Sequence, residues 1–109
     1  MSTMTRPAKD GASQLLARSK LIVEALAGHS FEGLRNKQIA TAIGDTDVNS
    51  LRTLQHLAEI GWTERVPGKE ECWRLSPRLV QIAIAHQNEL ARLTQRVDDF
   101  TNRYSRTPN

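Results

Sequence analysis

Much of what marks an enzyme or a secreted protein is missing from this chain. Cysteine occurs once, at Cys72, so no internal disulfide can form and a reducing compartment is the expected setting. Aromatic side chains make up 5% of 109 residues, which gives Trp62, Trp73, Phe31 and Phe100 positions of expected purpose. No apolar run approaches the roughly 20 residues of a membrane span, and the N-terminus lacks a signal-peptide core. The expectation is a soluble cytoplasmic protein, nucleoid-associated if it meets DNA, with no membrane partner. Also missing are a glycine-rich phosphate loop, a nucleophile beside a base, and paired carboxylates in an apolar setting. His29, His56 and His86 have no ligand-like spacing to one another or to Cys72. The sequence predicts no enzyme, no metal and no cofactor.

Charge of one sign is scarce as well. The formal net charge is +3, which permits a nucleic-acid partner without requiring one. Residues 36–60 carry Lys37 and Arg52 against Asp45, Asp47 and Glu59, a net of −1. A dedicated DNA-binding face is usually more basic than that. The length allows one domain and little more, and a domain of this size buries only roughly 65% of its unfolded surface. Burial across a subunit interface would add to its stability.

What is present is a clear order of helices and turns. A polar arm covers residues 1–11. Ser13 is placed to cap a first helix that runs to about Ala27 and stops at Gly28, with Leu15, Ser19, Ile22 and Leu26 on one face, thickened by Leu16 and Val23. A turn and a short strand around Phe31 follow. The second helix, residues 36–43, buries Ile39, Ala40 and Ile43 and ends at Gly44. Asp45, Thr46 or Asp47 caps the third helix, whose apolar positions are Val48, Leu51, Leu54, Leu57 or Ala58, and Ile60. Gly61 breaks it, and residues 61–75 read as two short strands around Pro67-Gly68. Helix, tight turn, helix and hairpin is the order of a winged helix-turn-helix, in which the second helix of the pair enters the major groove and the hairpin leans on the flanking backbone.

Ser76-Pro77 is a strong helix start. Beyond it Leu79, Ala83, His86, Leu90, Leu93, Val97, Phe100 and Tyr104 step alternately by four and three, a heptad seam for a partner helix. Such a helix spans roughly 40 Å. His86 on this seam reads as a polar residue that restricts register. The expected fold class is therefore mainly α with a small β-wing: an arm at 1–11, a winged helix-turn-helix at 12–75, a coiled-coil-like dimerisation helix at 76–104 and a tail at 105–109.

With those residues placed, the chain from 19 to 75 resembles the DNA-binding domain of IclR-type transcriptional regulators. The resemblance rests on Leu21-Ile22-Val23-Glu24-Ala25-Leu26, on Gln38-Ile39-Ala40 with Gly44, on the run from Leu51-Arg52-Thr53-Leu54 to Ile60-Gly61-Trp62, and on Trp73-Arg74-Leu75. It implies that Asn49, Ser50 and Arg52 fall on the family's recognition-helix pattern. Where those regulators carry a large effector-binding domain after the wing, this sequence predicts a single long helix, and the turn here is acidic at Asp45 and Asp47.

The residues expected to touch double-stranded DNA are Lys37, Thr46, Asn49, Ser50, Arg52 and Thr53, with Arg65 and Lys69 on the wing. Asparagine bonds bidentately to adenine, and arginine reads guanine or clamps a phosphate. The plainer reading is a solvated helix face, with Asp45 and Asp47 serving as caps. Arg18 and Lys20 are either a further phosphate-binding pair or solubilising charge. Trp62 and Trp73 are expected to anchor the hairpin, and Cys72 to fill the core under it. The function predicted is a sequence-specific DNA-binding transcriptional regulator acting as a homodimer, of a size that suits a phage or other mobile element. The alternatives are a winged-helix protein-interaction module, whose long helix binds another protein, and a non-specific DNA-binding accessory factor.

Overall fold

The computed structural model describes residues 13–105, so the arm expected at 1–11 and the tail after Ser105 lie outside the described residues. The elements run α1 (Gln14–Leu26), β1 (Leu34–Arg35), α2 (Asn36–Ile43), α3 (Asp47–Glu59), β2 (Thr63–Val66), β3 (Lys69–Leu75) and α4 (Pro77–Ser105). The fold is mainly helical, with a small antiparallel sheet of order β1-β3-β2 and a long C-terminal helix. The chain divides into two compact units, one ending at Pro77 and the other beginning at Arg78.

In the first unit the helix ends follow local chemistry. Ser13 Oγ accepts from the Leu16 N–H at 3.0 Å, satisfying one of the donors a helix start leaves open. α2 ends where Gly44 turns left-handed at φ 72°. The Gly44 N–H bonds to Thr41 O at 3.3 Å and the Asp45 N–H to Ala40 O at 3.0 Å, the paired bonds of a Schellman stop. Of the three candidate caps for α3, Thr46 does the work: its hydroxyl accepts from the Asn49 N–H at 3.0 Å.

Ile22, Leu26, Ile39 and Leu54 are fully buried and form the centre of the core, joined by Leu57, Val66, Cys72, Trp73 and Leu75. α1, α2 and α3 pack on one another, and Thr63 Oγ1 donates to Leu54 O at 3.0 Å to tie the sheet to α3. The apolar stripes are narrower than the sequence suggested. Leu15, Leu16, Val48 and Ile60 are exposed and Ile43 is half-buried; Val48 stands on the outward side of α3, and the others lie at helix ends, where fewer side chains close over them. Trp73 is buried, whereas Trp62 is 38% exposed and holds the hairpin by its backbone, accepting from the Ser76 N–H at 2.8 Å.

The first strand is not where the sequence placed it. Phe31 sits in a turn and is 88% exposed; pairing begins at Leu34, opposite Trp73, and continues with Arg35 opposite Cys72. Gly33 explains the offset. It is left-handed at φ +74°, and a Cβ there would lie 2.6 Å from both Trp73 O and Val66 Cγ2. Only glycine lets the backbone come that close to β3. The hairpin keeps Thr63 opposite Leu75, Glu64 opposite Arg74 and Arg65 opposite Trp73, then shifts register so that Val66 faces Lys69.

α4 has no buried residue. Leu90, Leu93, Val97, Phe100 and Tyr104 are exposed along it, and the rings of Phe100 and Tyr104 lie 4.5 Å apart, centroid to centroid. Among the described residues no helix is long and apolar enough to cross a membrane.

Candidate nucleic-acid interface

The turn between α2 and α3 is organised around one carboxylate. Asp45 Oδ2 accepts from Arg18 Nε at 2.7 Å, while Oδ1 accepts from the Thr46 N–H at 2.7 Å and from Asn49 Nδ2 at 2.9 Å. These bonds hold the Asp45 pKa at about 2, with the Arg18 bond contributing most, then Asn49, then the Thr46 backbone. The Asp45 charge is thus countered from within by Arg18 of α1, whereas Asp47 stays exposed in the first turn of α3. Arg18 also donates to Thr53 Oγ1 at 3.4 Å, so its guanidinium is a structural group and not the phosphate clamp considered for it. Lys20 pairs with Glu24 one turn along α1, at 2.8 Å on an exposed face, where such pairs add little.

Two of the residues expected to read DNA face the other way. Ser50 and Thr53 are both 0% exposed. With Leu54 and Leu57 they step by i, i+3, i+4 and i+7, the spacing of one helix face, and their small side chains allow α3 to approach its neighbours. Thr53 Oγ1 donates to Asn49 O at 2.9 Å, and Ser50 Oγ is buried without a hydrogen-bond partner among the described residues. Asn49 is half-buried, with its amide committed to Asp45. The Thr46 hydroxyl is exposed but occupied as the α3 cap.

The outward line of α3 is Val48, Arg52, Gln55 and Glu59, all exposed and related by steps of four, three and four. Arg52, near the middle of this line, has no hydrogen bond or ion pair among the described residues. Gln55, a residue able to bond bidentately to adenine, belongs to the same face, although the sequence reading passed over it. Its signal was its position one turn after Arg52. Asn36 Nδ2 donates to Asp47 O at 2.9 Å, which fixes the start of α2 against the start of α3, with exposed Lys37 next in the chain.

On the hairpin, Arg65 is drawn along the sheet. Its guanidinium carbon lies 4.3 Å from the Trp73 ring centroid, and Nη1 donates to Glu70 O at 2.6 Å. Lys69 is exposed at the hairpin tip. Arg74 pairs with Glu64 at 2.7 Å and Arg35 with Glu71 at 3.7 Å. Most charge on this sheet is therefore paired, and Lys69 is the cation best placed to meet a polyanion.

No protein-family model matches this chain, and neither the characterised proteins nor the solved structures contain a significant match to it. The functional reading rests on the geometry above.

Proposed function

We propose that the chain is a winged helix-turn-helix DNA-binding regulator, related in design to the IclR-type domain, that acts in the cytoplasm as a homodimer on double-stranded DNA. In this reading α3 is the recognition helix, β2 and β3 form the wing, and α4 joins two subunits. The observation that carries the proposal is the outward line of α3. One face of the helix is locked into the core, while the other offers a glutamine and an arginine with no ion pair among the described residues, after a tight turn in which Arg18 holds the Asp45 charge. Arg52 and Gln55 contact base edges, Val48 meets a thymine methyl, and Lys37 and Lys69 meet phosphates. Ser50 and Thr53 are withdrawn from the contact set, and Asn49 and Thr46 serve it by shaping the helix start. The reading is non-enzymatic.

Mobility-shift titrations of random and genomic DNA fragments at about 50 mM salt and above test this. A sequence-dependent complex is expected, and Arg52→Ala weakens it by about 1–3 kcal/mol if the arginine meets a base. Equal loss on all sequences reassigns Arg52 to phosphate. The net charge of −1 across 36–60 favours one competing reading, a protein-interaction module. Absence of any complex at low salt would select it.

A further inference from the structure

Resting on the homodimer reading, we infer that two copies of α4 pair antiparallel, with Leu90 of one subunit against the partner's Leu93 at the centre. The seam runs Leu79, Ala83, His86, Leu90, Leu93, Val97, Phe100, Tyr104; Leu79 is half-buried, and the larger apolar members from Leu90 onward are exposed in the single chain. In an antiparallel pair each residue of one seam class meets the other class. The centred register then sets Leu79 against the partner's Tyr104, Ala83 against the partner's Phe100, and His86 against the partner's Val97. No seam position is left over. The smallest side chain meets one of the largest, so the layers are more even in volume than a parallel pair would make them, which favours close packing.

Charge selects the same direction. Antiparallel helices bring like flanking positions together, which sets Glu89 against the partner's Arg96, and by symmetry the reverse. Arg103 covers the partner's Ile82 with its aliphatic stem. A parallel pair stacks Phe100 on Phe100 and Tyr104 on Tyr104 at one end and leaves Ala83 on Ala83 and His86 on His86 at the other. Its flanking pairs are Glu89 with Thr94 and Arg96 with Thr101, which offer no ion pair. Flanking charges contribute to partner orientation more than to strength.

Two measurements on the full chain test the arrangement. In the first, Ala83→Cys and Phe100→Cys variants carrying different tags are mixed and oxidised, with the parent and its buried Cys72 as background. The expected product is a disulfide joining one variant to the other. A disulfide joining Ala83→Cys subunits to themselves overturns the antiparallel pairing while leaving the dimer intact, and a dimer that forms neither product overturns the register. In the second, sedimentation of Glu89→Arg and of Arg96→Glu shows dimerisation weakened roughly five- to tenfold in each, from like charges now facing one another. Glu89→Arg combined with Arg96→Glu restores it. Single variants that dimerise like the parent overturn the inference without loss of seam packing to confuse the result. A monomeric parent overturns the homodimer reading itself, and DNA binding is scored separately.

Discussion

Asp45 shows how one residue changes meaning once its partners are known. In the sequence it counts as acidity on a surface expected to approach DNA; in the fold it is the hub that ties α1 to the start of α3. Its pKa is depressed to about 2, so its stabilisation is fully present above the unfolded value near 4 and is lost as pH falls from there towards about 2. That loss is on the order of 1–2 kcal/mol for a pair still partly open to solvent. Denaturant midpoints followed from pH 5 to 2 should therefore fall more for the parent than for Asp45→Asn. Ser50 makes the opposite case. Its buried hydroxyl has no hydrogen-bond partner among the described residues, so Ser50→Ala is expected to leave stability unchanged or raise it by up to about 1 kcal/mol. DNA binding should also be unchanged, and a large loss in titration would return Ser50 to the contact set. A sequence reader sees hydroxyl residues on a helix as polar. The burial of Ser50 and Thr53 follows from packing distance, which spacing hinted at and residue type concealed.

At the scale of elements, the punctuation was legible. Ser13, Gly44 and Pro67-Gly68 each act through bonds within a few residues of themselves, so the sequence alone placed the ends of α1 and α2 and the hairpin turn. β1 was not legible where it lies. Two residues have no periodicity to read, and their pairing depends on β3, nearly forty positions downstream. Gly33 was the available clue, a glycine with no helix to end. Gly33→Ala combines a left-handed backbone with overlap against Trp73 O and Val66, and is expected to cost about 2–4 kcal/mol. Urea unfolding measures it, with Gly28→Ala, where an added Cβ meets nothing within 4 Å, as the control for backbone strain alone.

For the whole molecule, the division at Pro77 matters most. Every buried residue among those described lies at or before Ser76, so truncation after Gln81 should leave the first unit folded, with a cooperative melt like that of the full chain. Dimerisation should be lost with the seam. Affinity for a two-site operator should then fall steeply, because the second contact no longer benefits from the effective concentration supplied by the first. Light scattering and titration on one- and two-site DNA check both halves of this expectation. The seam was readable because heptad spacing is local to one helix. In the proposed dimer the surface that covers it belongs to a second molecule, and the flanking charges and graded sizes along α4 are what argue for the pairing.

The lone thiol gives the fold a clock. Cys72 is buried at the middle strand, opposite Arg35 on β1, so a thiol-reactive dye in solution must wait until the sheet parts. Under native conditions the labelling rate reports how often that opening occurs. Because the chain has no second cysteine, the signal comes from a single site. Its slope with denaturant tells whether β1 peels away alone or the whole first unit unfolds with it.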